Sequence, residues 1–301
     1  SVFIIGPTAS GKTRTALRLY QNGSFGGIVN ADASQAYRQV SVGVAAPSSS
    51  ERSQAPHHLF SVVDCFPRSF NASIYRDRVE QLLDDAPLWQ NGDPLFVGGS
   101  LFYVKSLFFK LPDVEELVPE FLDFPVVRPL GVADWEYLKL VDPVRAAHIH
   151  PHDQYRVSRA LELYLSSGVL PSQCEPQFNP VTSRSIVVWV DVPDEQLRAT
   201  IRTRVAQMLT GGWVEEVEGL VGTKFEEFVR DGYALGYGDV YKWIADGKPE
   251  SAYASLVQTL ELKTWDYVRR QRKFWRSFKR QLAQHGDSVQ IVETGPDTLP
   301  F

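Results

Sequence analysis

Residues 6–13 read Gly-Pro-Thr-Ala-Ser-Gly-Lys-Thr, placing two glycines, three hydroxyls and a lysine at the spacing Gly-x-x-x-x-Gly-Lys-Thr. Glycines let successive backbone amides turn toward one point, and a following helix adds the partial positive charge of its N-terminus. Lys12 contributes a full charge, and the Thr13 hydroxyl suits Mg²⁺. A phosphate group is therefore expected against Gly6, Thr8, Ala9, Ser10, Gly11, Lys12 and Thr13. Nucleoside triphosphates are the usual occupants of such a loop, and they need a strand-end acid to orient the metal. The apolar run 94–97 ends instead in Gly98, Gly99 and Ser100, and the acid at a strand end is Asp32. That carboxylate is a helix cap, a Mg²⁺ ligand or a general base.

Three further clusters carry charge. In residues 142–164, His148, His150 and His152 alternate, but no Cys, His or carboxylate spacing supports a metal cluster. Arg156 and Arg159 lie three apart on one helix face, opposite Val157, Ala160, Leu161 and Tyr164. They either pair with Glu162 or grip nucleic-acid phosphates. Arg198, Arg202 and Arg204 ride a second helix opposite Leu197, Ile201, Val205 and Met208, and spacing alone does not choose which reaches a phosphate. From Lys263 to Arg280, eight basic residues stand against the single acid Asp266, a net of +7, with five aromatics interleaved. The aromatics are expected to face the core and the basic face to meet a phosphate backbone.

The elements that position these groups follow from periodicity. Residues 1–6, 26–32, 93–100 and 185–193 read as strands, residues 57–64 as a further candidate, and helices are expected at 12–20, 73–83 and 194–209. Strands alternating with helices imply a parallel sheet whose sites gather at the strand C-terminal ends, where the loop, Asp32 and Ser100 all fall. After Leu111 the rhythm changes. A stretch with four prolines precedes two helices, 133–140 and 154–166, the second capped by Asp153 and stopped by Gly168. Residues 171–180 read as a linker, and the chain after residue 209 as largely helical. The expected fold is α/β, a P-loop NTPase-like parallel sheet flanked by helices, with 1–111 and 183–301 as the core and 112–182 as a small helical insertion domain.

The chain has 301 residues, 44% hydrophobic and 22% charged, an ordinary composition for a globular protein. No run approaches the roughly 18 apolar residues of a membrane helix. The start lacks the basic flank of a signal peptide and opens directly on a strand, so natural N-terminal residues are expected to precede it. Cys65 and Cys174 have no paired spacing, which favours a reducing, cytoplasmic home. A net charge of −5 argues against nucleic acid as a partner unless basic residues cluster locally, as they do near the C-terminus.

Taken together these stretches resemble the tRNA dimethylallyltransferases, or isopentenyltransferases. The resemblance rests on the loop 6–13, on Asp32-Ala33-Ser34-Gln35-Ala36-Tyr37, on Pro56-His57-His58-Leu59, on the block from Val97, on residues 142–162, on the block from Ala234 and on the basic helix. It implies dimethylallyl diphosphate and a tRNA anticodon stem-loop as substrates, Mg²⁺ as cofactor, and a monomer. By the same resemblance Asp32 is the base, Ser100 lines the reaction channel, Arg204 and the loop hold diphosphate, and Thr13 holds the metal. The stretches that match tRNA-contacting ones are Asp32, Ala33, Ser34 and Gln35; Ser100; Tyr155, Arg156, Val157, Ser158 and Arg159; and Tyr233, Gly236, Tyr237 and Gly238. Four positions depart from the family pattern: Ser100 for Thr, Ala33 for Ser, Thr200 for Arg, and Gly238 for a basic residue. The alternatives are an adenylate isopentenyltransferase acting on a free nucleotide, a P-loop small-molecule kinase, disfavoured by the missing strand-end acid, and a non-catalytic RNA-binding protein.

Overall fold

A computed structural model describes residues 1–23, 25–67, 69–110 and 131–298. The chain divides into two compact units, Ser1–Ser106 with Val181–Phe301, and Leu107–Pro180. The proline-rich stretch expected before the first insertion helix falls largely on residues 111–130, outside the described ones.

Its strands in chain order are β1 (Val2–Ile5), β2 (Phe25–Asn30), β3 (His57–His58), β4 (Asp93–Gly98), β5 (Phe109–Lys110), β6 (Gln177–Phe178), β7 (Ser185–Val190) and β8 (Val289–Thr294). In the larger unit six of them form one sheet in the order β3-β2-β4-β1-β7-β8, and every pairing is parallel. The central strand β1 is a continuous apolar run, Val-Phe-Ile-Ile, buried on both faces, as a parallel strand between helix layers requires. Each such side chain contributes roughly 1.5–3 kcal/mol by leaving water. Phe3 and Phe96 stack across the β1–β4 pair with centroids 4.4 Å apart.

Two expectations are corrected here. Residues 57–64 do not make a full strand. Pairing stops after His58, because Leu59 (φ 62°) and Ser61 (φ 54°) turn into the left-handed region, and only an isolated bridge from Val63 to Tyr37 continues it. The C-terminal portion is not helical to its end, since β8 adds an edge strand beside β7. Its alternating, half-exposed pattern gave it no continuous apolar run. The long C-terminal helix, Glu250–Leu282, lies against this edge of the sheet. Trp275 stacks on Trp189 of β7 (4.9 Å, 4° between planes) and donates from Nε1 to Glu293 of β8 at 3.0 Å.

The smaller unit is built on helices Asp134–Val141 and Gln154–Ser167, whose facing sides bury Tyr137, Leu138, Ile149, Val157, Ala160 and Leu161. Asp153 caps the second helix by accepting from the Arg156 amide, and Gly168 ends it at φ 71°. The stretch 171–180 is more than a linker. It holds a turn at Pro171–Gln173, and β6 pairs antiparallel with β5, Phe178 meeting Phe109 at 5.5 Å. Asp142 fastens that turn: its side chain is 1% exposed, Oδ1 accepts from the Arg145 amide at 2.9 Å and Oδ2 from the Ser172 amide at 2.7 Å. Asp142→Ala leaves two buried donors unpaired and should lower stability by about 1–3 kcal/mol, read as a shift of the urea midpoint. An unchanged midpoint would mean that water replaces the carboxylate at no cost.

Candidate active site

Four adjacent strands bring the chemistry together. β1 runs into the loop 6–13, β2 ends two residues before Asp32, β4 runs into Gly99 and Ser100, and β7 ends one residue before Asp191. The loop leads into the helix Lys12–Asn22 with Gly11 at φ 91°, a conformation that favours glycine. Ala9 also sits in the left-handed region, at φ 64°, which costs a non-glycine residue about 1–2 kcal/mol. These turns decide which amides stay open. The Thr8 amide donates to Gln271 Oε1 at 2.9 Å, and the Ser10 amide to the Pro7 carbonyl at 3.3 Å. The amides of Ala9, Gly11, Lys12 and Thr13 bond to no described residue, the last two being first-turn amides of a helix. Ser10 Oγ is buried and also has no partner. Open donors at a helix N-terminus make an anion cradle.

Lys12 Nζ folds back onto the Pro7 carbonyl at 2.6 Å. Burial pulls its pKa down to about 8; Asp32 and Asp191 oppose that shift and Arg204 adds to it. Of the three arginines on helix Asp194–Met208, only Arg204 turns to the loop, its Nη1 donating to Thr8 Oγ1 at 3.5 Å. Arg198 stacks over Trp265 at 3.8 Å and Arg202 faces Glu261. Thr200 is exposed and back-bonded to the Gln196 carbonyl, turned to solvent.

The two oxygens of Asp32 do different work. Oδ1 accepts from the Ser34 amide at 3.2 Å, from Ser34 Oγ at 2.8 Å and from Ser100 Oγ at 3.4 Å. Oδ2 makes no hydrogen bond with a described residue. The Asp32 amide is fixed by Asn30 Oδ1 at 2.8 Å, and Ser100 Oγ accepts from the Ala33 amide at 2.9 Å. Ser34 thus supplies a hydroxyl to the carboxylate although Ala33 carries none.

The strand-end acid thought to be missing is present. Asp191 follows β7, next to β1, and its charge reaches Lys12. Arg272 holds it in a two-pronged grip, Nε and Nη2 each 2.8 Å from one of its oxygens, and Nη1 also reaches Asp194. Those bonds, Asp191's first, raise the pKa of Arg272. A carboxylate so committed is a poor metal ligand, so the case against a kinase rests on its engagement and not on its absence.

The residues expected to face RNA are placed as follows. In the larger unit Gln35 spends its amide on the carbonyls of Val44 and Ala45. Tyr233 is 46% exposed, whereas Gly236 and Tyr237 are buried and the Tyr237 hydroxyl donates to Glu216; Gly236 caps the helix Tyr237–Ala245, of which Gly238 is the second residue. In the smaller unit Tyr155, Arg156 and Arg159 are exposed, the arginines paired to Asp153 and Glu162 within their own helix. Ser158 back-bonds to the Gln154 carbonyl, and Val157 is core. On the C-terminal helix Lys263, Arg272 and Lys279 are neutralised by Asp239, Asp191 and Glu293. Arg270, Lys273, Arg276 and Arg280 have no carboxylate partner among the described residues. Arg269, Arg270, Lys273 and Arg276 line a groove of ≈ 710 Å³ above Trp189 and Trp275.

Sequence reading missed Asn30, Asp191, Tyr267 and Gln271. Burial raises the pKa of Tyr267, and the charge of Asp32 adds to this. Only the glutamine's place among charged neighbours on a helix hinted that it is special.

Residues 35–278 match the family described as IPP transferase, and residues 2–58 that described as isopentenyl transferase. A tRNA dimethylallyltransferase of Geobacter sulfurreducens is 33% identical over 91% of this chain and 88% of its own length. One from Rippkaea orientalis is 34% identical over 92% and 90%. Among solved structures, a eukaryotic dimethylallyltransferase acting on tRNA has the same fold, with TM-score 0.76 at 22% identity over 97% of this chain and 73% of that one. The tRNA isopentenylpyrophosphate transferase of Bacillus halodurans aligns with TM-score 0.59 at 26% identity, covering 97% and 89%.

The low Lys12 pKa has a measurable consequence. A bound anion favours the charged amine, so binding raises that pKa and takes up a proton above about pH 8. Affinity for inorganic diphosphate should fall as pH rises through that value, approaching about tenfold per unit. Calorimetry in buffers of different ionisation enthalpy checks this, and equal affinity between about pH 7 and about pH 9.5 would refute it.

Proposed function

The chain belongs to the IPP transferase family, and from that premise we propose that it transfers the dimethylallyl group of dimethylallyl diphosphate to the exocyclic amine of the adenine on the 3′ side of the anticodon in tRNA. The observation that carries this reading is the juxtaposition, at one sheet edge, of an open anion cradle with a carboxylate whose outer oxygen is unengaged. The nitrogen attacks the allylic C1, the C1–oxygen bond breaks, and its electron pair leaves on diphosphate. Asp32 Oδ2 takes the proton from the alkylated nitrogen. The amides of Ala9, Gly11, Lys12 and Thr13, with Lys12 and Arg204, face the charge that develops on the leaving group. Ser100 and Ser34 hold Asp32 by its other oxygen, so the base is oriented before substrate arrives.

The donor set fits Mg²⁺. The Thr13 hydroxyl is a hard oxygen ligand beside the cradle and bonds to no described residue. No group of three or more His, Cys, Asp or Glu among the described residues makes an all-protein cage, so the remaining ligands are phosphate oxygens and water. When bound, the ion neutralises charge on the departing diphosphate.

The tRNA anticodon arm is held by the exposed cations of the C-terminal helix in the larger unit and by Tyr155, Arg156 and Arg159 in the smaller one, which we assign to RNA. The adenine leaves its stack to reach Asp32. The enzyme acts as a monomer in the cytoplasm. Among the described residues no helix is long and apolar enough to cross a membrane.

Incubation with dimethylallyl diphosphate and either tRNA or AMP, followed by nucleoside mass spectrometry, tests the reading. Isopentenyladenosine in tRNA is expected; product from AMP alone would point to the nucleotide-directed alternative. Asp32→Asn keeps the turn, since an amide oxygen also caps it, and should cut turnover ~10²–10⁴-fold with tRNA affinity intact. Undiminished turnover would remove Asp32 from the role of base. Replacing Arg270, Lys273 and Arg276 by Ala should flatten the salt dependence of tRNA binding, the log–log slope shrinking by about 0.7–0.9 per lost contact. An unaltered slope would return them to an ordinary solvated face.

A further inference from the structure

We infer that Gln271 is a positioning residue that fixes the phosphate loop at a set distance from the turn carrying the acceptor-side base. This rests on the transfer reading above. The parallel ladder between β1 and β4 runs only to the pair Ile5–Gly98. Beyond it β1 continues into the loop that holds the leaving group, and β4 into the Gly99–Ser100 turn that holds Asp32. Gln271 closes the gap. Its side chain is 4% exposed, Oε1 accepts from the Thr8 amide at 2.9 Å, and Nε2 donates to the Gly99 carbonyl at 2.8 Å. The two partners stand 263 and 172 residues away in sequence, so this is a tertiary brace and not a local turn.

Both partners are backbone groups, one a donor and one an acceptor. A neutral amide is the side chain that answers both at once. A lysine or arginine here would add charge beside Lys12 and Arg204, and a carboxylate would repel the Gly99 carbonyl. Gly99 leaves room for the amide: a Cβ at that position would stand 2.6 Å from Gln271 Nε2. The bond to Thr8 sets where the loop stands, while the amides that face the anion are aimed by the loop's own left-handed turns at Ala9 and Gly11. Tyr267 stands one helical turn earlier on the same inward stripe of the helix, close enough to Asp32 to feel its charge. Neither Gln271 nor its amide need touch a substrate. Each half-site binds its own ligand without it, while the distance between attacking nitrogen and allylic carbon depends on it.

That separates a positioning role from a merely stabilising one. In Gln271→Leu, kcat should fall roughly 10–100-fold while KM for dimethylallyl diphosphate and for tRNA each stay within about threefold. In Gln271→Glu, the ionised carboxylate keeps the bond from Thr8 and loses the one to Gly99. Once protonated it again offers one acceptor and one donor. The ratio of that variant's kcat to wild type should therefore rise as pH is lowered from about 8 to about 5.5, the ratio cancelling titrations common to both. A Leu variant with kcat within about twofold of wild type, or a flat ratio for the Glu variant, overturns the inference. Should the Leu variant fail to fold by circular dichroism, the Glu ratio decides alone. A wild type that transfers nothing to tRNA overturns the transfer reading and this inference with it, whereas an active wild type with indifferent variants overturns only the inference.

Discussion

Amides kept open for an anion cannot also hold their own loop in shape. Of the loop's backbone donors, Ala9, Gly11, Lys12 and Thr13 are unspent, so other groups must hold the loop. Within it Lys12 crosses to the Pro7 carbonyl; from outside, Arg204 reaches the Thr8 hydroxyl, and Gln271 takes the Thr8 amide and sets the loop's place. On the far side the segment after β8 closes against the loop helix. Thr15 donates to the Pro296 carbonyl at 3.1 Å, and Arg14 pairs with Asp297. Much of the larger unit is arranged to free four N–H groups.

Charge obeys the same constraint. Lys12 and Arg204 are both buried enough for their pKa values to be drawn down, and in both cases Asp32 is the first opposing influence. The carboxylate thus serves as counter-ion to two buried cations. Asp191 is a second carboxylate near Lys12, and left unpaired it would weaken the positive field. Arg272, gripping it with two prongs, offsets that charge, which still reaches Lys12 behind those of Asp32 and Arg204. An anion meets a site with two cations and one carboxylate, the last held back by Ser34 and Ser100.

What was legible in the sequence was local. The loop, Asp32 and Ser100 are short motifs at strand ends, and a parallel sheet brings strand ends together whatever their distance in sequence. The caps at Asp153 and Gly168 could be read because capping is decided within a few residues. Long-range partners could not. Nothing near Gln271 announces Thr8 or Gly99, and nothing near Asp191 announces Arg272; the acid was overlooked because Val190 and Val192 make it look like an interruption within a strand. β8 and the β5–β6 pair escaped for another reason. Edge and two-residue strands bury too little for periodicity to mark them.

The C-terminal helix shows how one period serves two ends. Tyr267, Gln271, Trp275, Phe278 and Leu282 recur every three or four residues and form its inward stripe, the last four of them buried. Arg270, Lys273, Arg276 and Arg280 recur at the same spacing on the other side and are exposed. The net +7 of this segment overstates its outward charge, because Lys263, Arg272 and Lys279 are spent on acids of other elements. Those three pairs, with the Trp189–Trp275 stack, fix the helix in rotation. A helix so clamped cannot turn its cations outward without also turning Gln271 toward the loop, so the face that meets the surroundings and the amide that braces the site are set by one packing arrangement.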